Sequence, residues 1–148
     1  WSQYAAKRIL PGGSLFALDL LPMESLEGVS FIQGDFREDD ALHRLEAGLG
    51  GRTVDLVLSD VAPNMSGVQV TDQARAIHLA ELALDFARAH LKPGGDLLVK
   101  TFQGADFMEL RKALGEAFET VQVRKPGASR DRSAETFLLA RKKRHETM

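Results

Sequence analysis

One short connection near the C-terminus constrains the fold of this chain more than any other feature. Two strand-like runs, residues 119–125 and 135–141, are separated by only the nine residues Pro126 to Ala134. A parallel crossover ordinarily takes a dozen residues or more, usually with a helix inside it. If the two runs pair, the last strand is therefore expected antiparallel to its predecessor. Upstream, short apolar runs alternate with longer helical ones, the pattern of an α/β chain with a mostly parallel sheet. At 148 residues the chain is long enough for one domain with a proper core.

The expected strands cover residues 14–18, 29–33, 54–59 and 96–100. The expected helices cover 1–10, 38–49, 72–91 and 106–117. VDLVLS at 54–59 is almost continuously apolar, which predicts the buried middle of a parallel sheet. Ile77, Ala80, Leu84, Ala87 and Leu91 form one stripe at helical spacing, with Arg75, His78, Asp85 and Arg88 on the wet side. Lys92-Pro93-Gly94-Gly95 is expected to end that helix. Phe107, Leu110 and Leu114 face inward from the next helix. A doubly wound α/β sheet with an antiparallel final strand is the Rossmann-like methyltransferase variant, whereas a plain dinucleotide-binding fold would continue in parallel. The pattern thus favours methyl transfer over hydride transfer. Residues 1–141 are read as the domain and 142–148 as a basic tail.

The chain has no cysteine, which excludes disulfides and thiolate metal sites. His43, His78, His90 and His145 are scattered without ligand-like spacing, so no metal site is expected. No apolar run approaches the roughly 20 residues of a membrane span. The net charge of −2 hides an asymmetry, because eight of the 19 basic residues fall between Arg124 and the C-terminus against three of the 21 acidic ones. A basic end on an acidic body points to a polyanion partner. For the run Arg141-Lys142-Lys143-Arg144 alone, a phosphate-binding tail and a solubilising tail remain equally open.

Open α/β sheets bind ligands beyond the carboxyl ends of their parallel strands. Asp19, Asp35, Asp60 and Lys100 close or follow the four expected parallel strands, and Glu135 opens the antiparallel one on the same rim. A lysine between two carboxylates at one edge can serve acid/base chemistry. Taken singly, an aspartate after a strand is more often a turn or cap residue, and Lys100 alone reads as a solvated strand end.

The segment Ser59-Asp60-Val61-Ala62-Pro63-Asn64-Met65-Ser66-Gly67 is more specific. Together with LDLLPM at 18–23, QGDF at 33–36, VKTFQG at 99–104, VRKPGASRDRSAE at 123–135 and the opening WSQYA, it resembles the FtsJ/RrmJ family. That family comprises 2′-O-methyltransferases of large-subunit ribosomal RNA acting on a uridine of the A-loop. The match runs in one order from Trp1 to about Lys142. The resemblance implies that Asp60, Lys100 and Glu135 are three members of the family's Lys-Asp-Lys-Glu catalytic group. It places the fourth, a lysine, together with a glycine-rich cofactor loop and the first strand of the sheet, before Trp1. A chain beginning at Trp1 is accordingly expected to lack a central strand and to be unstable.

S-adenosylmethionine is the cofactor that the resemblance implies, with contacts at Trp1, Asp19, Asp35 and Asp60. Independently, a ribose-binding acid is expected about twenty residues beyond such a glycine loop, and Asp19 suits that spacing. The nucleophile would be a ribose hydroxyl, so catalysis needs in-line positioning and a group that accepts or disperses a proton. An ordinary lysine, with a pKa of about 10.4, is charged and cannot act as a base. Burial or a second cation would lower that value and the two acids would raise it. Lys100 is therefore open to two roles, as base or as a charged group orienting the hydroxyl. Arg124, Lys125, Arg130 and Arg132 are expected to bind RNA phosphates, against the alternative of an exposed hairpin turn. The expected setting is a cytoplasmic monomer acting on ribosomal RNA within the large subunit, with no membrane partner. The rivals are 2′-O-methylation of transfer RNA or messenger RNA caps, a small-molecule O-methyltransferase, and a non-catalytic ribosome-assembly factor.

Overall fold

In the computed structural model, the described residues are 15–19, 29–33, 38–59, 69–102, 106–125 and 135–145, with side chains described for 38–59, 74–102, 106–125 and 136–145. The helix expected over 1–10 lies outside them. The chain divides into two compact units, Trp1–Arg52 and Thr53–Met148.

In the first unit, β1 (Leu15–Asp19) and β2 (Val29–Gln33) pair in parallel, from Leu15 opposite Val29 to Asp19 opposite Gln33. Helix α1 (Asp39–Leu49) follows. Its buried residues Ala41, Leu45 and Leu49 recur at four-residue spacing and form one face. Asp39 and Asp40 occupy the first turn, where their charge suits the helix dipole. The helix ends on Gly50 in the left-handed region at φ 60°. Arg52 then donates from Nε to the Leu49 carbonyl at 2.8 Å and from Nη2 to the Gly48 carbonyl at 3.1 Å.

The second unit contains β3 (Val54–Ser59), α2 (Gln69–His90), β4 (Leu91–Phe102), α3 (Phe107–Ala117), β5 (Phe118–Arg124) and β6 (Glu135–Lys143). The strands form one sheet in the order β3-β4-β6-β5. β3 and β4 are parallel, while β6 is antiparallel to both of its neighbours, β4 and β5. The expected antiparallel final strand is thus present, inserted between β4 and β5. Helix α2 packs on β4, and α3 packs on β5, β6 and α2.

Period-2 burial along β4 separates the two faces of the sheet. Leu97, Val99 and Thr101 are buried, as are Thr136, Leu138 and Ala140 of β6. The expected stripes join this core: Ile77, Ala80, Leu84 and Ala87 of α2, Leu91, and Phe107, Leu110 and Leu114 of α3 are all buried. Thr136 and Thr101 sit opposite each other on the buried face. Thr136 Oγ1 donates to the Arg124 carbonyl at 3.2 Å, and Thr101 Oγ1 has no partner among the described residues.

Two expectations are corrected. VDLVLS is not buried throughout, because β3 forms one edge of the described four-stranded sheet, leaving Leu56 43% and Leu58 40% exposed. Lys92-Pro93-Gly94-Gly95 does not simply separate α2 from a strand starting at Asp96. Pairing with β3 begins at Leu91 opposite Val54, breaks, and resumes at Asp96 opposite Leu56. The four residues form an irregularity inside the strand, where proline has no ladder hydrogen bond to lose. Gly94 there has φ 86°, and a Cβ on Gly95 would lie 2.7 Å from Leu91 Cδ1 and 2.9 Å from the Asp55 carbonyl oxygen. Lys92 Nζ bridges to Asp55 at 2.7 Å, an exposed pair worth at most about 1 kcal/mol.

Candidate functional site

Strand direction decides which residues share a rim. In the second unit β3, β4 and β5 all run one way, so Ser59, Phe102 and Arg124 end them at the same edge of the sheet. β6 runs the other way and begins there with Glu135.

Register then places Lys100. It lies opposite Phe137, and Phe102 lies opposite Glu135. Directly opposed residues share a face, as do alternate residues along one strand. Lys100, Phe102, Glu135 and Phe137 therefore occupy positions on one face, the one opposite the helix-covered core. Lys100 and Glu135 are diagonal neighbours across the β4–β6 ladder. Such positions are about 7–8 Å apart at the backbone, within reach of a long side chain. Lys100 itself is half-buried. On its other side, Ser59 of β3 is in register with Val99, the residue before Lys100. Ser59 is 8% exposed and directly precedes Asp60 in the chain.

The remaining expected residues fall as follows. Asp19 ends β1 in register with Gln33, the last residue of β2, at the carboxyl ends of a parallel pair. Arg124 ends β5 and is exposed, as is Lys125. Arg124 Nη2 donates to Gln122 Oε1 at 2.6 Å. Trp1, Asp35, Asp60, Arg130 and Arg132 lie outside the described residues. Among the described residues no group of three or more His, Cys, Asp or Glu side chains converges as a metal site would require, and no helix is long and apolar enough to cross a membrane.

The sequence reading missed Phe102 and Phe137. Both are half-buried on the Lys100 face. The signal was present as parity, because each lies two residues along a strand from an expected catalytic position. Their positions put two aromatic residues on the same sheet face as Lys100, which composition alone does not reveal.

An alternating α/β chain whose antiparallel last strand is inserted between two parallel ones has the fold of the Rossmann-like methyltransferases. Human methyltransferase-like protein 13, solved in complex with SAH, shares this fold at a TM-score of 0.62 and 13% identity, over 99% of this chain and 68% of that one. A crystal structure from Plasmodium falciparum, described as a ribosomal RNA methyltransferase, superposes at a TM-score of 0.84 with 25% identity, over 99% of this chain and 81% of that one. The FtsJ-like methyltransferase family model matches residues 1–143. Ribosomal RNA large subunit methyltransferase E of Dechloromonas aromatica is 62% identical over 141 residues, covering 95% of this chain and 69% of the relative. The protein of the same name from Neisseria meningitidis serogroup B is 60% identical over 144 residues, covering 97% and 70%. The chain belongs to the FtsJ-like methyltransferase family.

Proposed function

We propose that this chain transfers a methyl group from S-adenosylmethionine to the 2′-hydroxyl of a ribose in large-subunit ribosomal RNA, at a uridine of the A-loop. The observation that carries the reading is the diagonal placement of Lys100 and Glu135 on one sheet face, beside the strand that leads into Asp60. The shared name of the 60–62% identical relatives supports ribosomal RNA as the substrate.

The donor fits what the strands offer. Asp19 closes β1 at the carboxyl end of a parallel pair, the position from which an acid accepts hydrogen bonds from a cofactor ribose. Trp1, Asp35 and Asp60 complete the proposed cofactor contacts. When bound, the donor supplies a sulfonium-activated methyl group, so no metal is required. Lys100 meets the ribose hydroxyl and takes up or disperses its proton as the oxygen becomes nucleophilic. Asp60 orients Lys100 and borders the donor, and Glu135 holds the substrate side. Phe102 and Phe137 keep water from the amine, which strengthens the electrostatics around it. Arg124, Lys125, Arg130 and Arg132 bind backbone phosphates beside the same rim. In this reading residues 1–141 carry catalysis and 142–148 lie outside it, and the protein works as a cytoplasmic monomer.

The test is tritiated methyl transfer by the intact protein to hypomethylated large ribosomal subunits, with the modified nucleoside identified by mass spectrometry. A 2′-O-methyluridine product is expected, and Lys100→Ala is expected to lower turnover by at least about 10²-fold. Label on a base, or near-normal turnover of Lys100→Ala, overturns the reading.

A further inference from the structure

The described basic residues from Arg124 onward share one end of the sequence but not one place in the sheet. β6 is nine residues long, so at about 3.3 Å per residue its two ends lie about 26 Å apart. It enters at the rim with Glu135 and Arg124, and leaves at the opposite rim with Arg141, Lys142 and Lys143. Both described helices of this unit end at that opposite rim, because each runs straight into its strand: α2 ends at His90 where β4 starts at Leu91, and α3 ends at Ala117 where β5 starts at Phe118.

Such junctions leave a chemical problem. The last carbonyls of a helix have no partner within it, and the commonest remedy is a left-handed glycine just past the end. α3 is instead followed by Phe118 in extended conformation, φ −128° and ψ 152°. α3 has no basic residue in its last turn. The donors come from the end of β6. Lys143 Nζ donates to the Arg88 and Leu91 carbonyls, both at 2.8 Å. The Arg144 amide donates to the Ala117 carbonyl at 2.8 Å, and its guanidinium reaches the Gly115 carbonyl at 3.5 Å. Asp96 of β4 accepts from the Lys142 amide at 2.9 Å and pairs with Arg141 at 3.6 Å. Lys142 takes φ 61°, a left-handed conformation inside β6, between the residues that pair with Thr120 and Phe118 of β5.

We infer that Arg141–Arg144 is a clasp that closes the C-terminal ends of α2 and α3 and locks the register of β6, and is not a phosphate-binding tail. Two cations are spent on helix carbonyls, where their charge also opposes the negative ends of the helix dipoles. The contacts with Asp96 hold β6 against β4 just beyond their last paired residues, Leu97 and Ala140. A one-residue slip of β6 would carry Glu135 to the other face, so the clasp also preserves the arrangement at the far rim.

The experiment compares Lys143→Met, Lys143→Arg, Arg144→Met and Lys142→Gly in the intact protein, by thermal unfolding and by the salt dependence of poly(U) RNA binding. Lys143→Met is expected to lower the unfolding midpoint by about 3–8 °C, with Arg144→Met lower by a few degrees. Lys143→Arg keeps most of the midpoint. Lys142→Gly removes an equal charge yet holds or raises the midpoint, because glycine adopts the left-handed conformation without strain. The poly(U) salt slope is expected to stay unchanged in all four. Failure of Lys143→Met to fold supports the clasp if Lys143→Arg folds. Parent-like melting of both Met variants, failure of both Lys143 variants, or a slope reduced by about 0.7 in any of them, as for one lost phosphate contact, overturns it.

Discussion

Replacing Gly95 by alanine tests the irregular start of β4 directly. The added Cβ would meet Leu91 Cδ1 at 2.7 Å, Leu91 Cγ at 2.8 Å and the Asp55 carbonyl oxygen at 2.9 Å. Leu91 is only 2% exposed and has no open side to move toward, and the Asp55 oxygen belongs to the backbone of β3. Neither neighbour yields cheaply, so the substitution is an overpacking change costing about 1–3 kcal/mol. At about 2–4 °C per kcal/mol for a domain of this size, the midpoint falls by about 2–12 °C. Gly115→Ala is the control. It lies inside α3 with nothing within 4 Å of an added Cβ, and alanine there gains about 0.5–1 kcal/mol of helix propensity. Scanning calorimetry of the two variants and the parent is the assay. Gly95→Ala melting with the parent would refute the close approach of β3 and β4, and Gly115→Ala melting lower would refute the open space around α3.

Two further outcomes are expected. Leu114 is fully buried between α3 and the sheet, so Leu114→Ala lowers the unfolding free energy from urea titration by about 2–5 kcal/mol with little change in slope. Arg124→Ala and Lys125→Ala remove exposed cations at the site rim, and each is expected to reduce the salt slope of RNA binding by about 0.7–0.9 while leaving the midpoint of unfolding unmoved.

Much of the fold was legible because its signals are local. The stripe of Ile77, Ala80, Leu84 and Ala87 predicts the buried face of α2, and all four are buried. β2 and β3 begin and end where the apolar runs do. Connection length was a weaker guide than it looked. Nine residues, Leu20 to Gly28, separate β1 from β2, which pair in parallel, and ten, Lys125 to Ala134, separate β5 from β6, which pair antiparallel. A five-residue strand is roughly 16 Å long and nine extended residues can span about 30 Å, so that length permits either direction. The direction of β6 was read correctly, but its place between β4 and β5 decided it.

The candidate site was legible in its residue types and illegible in its neighbours. Lys100 and Glu135 stand out in sequence as charged residues at the ends of apolar strands. That they are diagonal neighbours, and that Phe102 and Phe137 share their face, follows only from the register of β4 with β6.

The basic C-terminal stretch shows the division most plainly. Sequence alone determined that eight cations follow Val123 and that the chain alternates helix and strand, because composition and periodicity are properties of neighbouring residues. Tertiary structure alone decided that Arg124 and Lys125 lie at the site rim while Lys143 and Arg144 close two helices at the other. The physical reason is that a strand carries its two ends to opposite edges of a sheet, and no local pattern records which carbonyls wait at either edge.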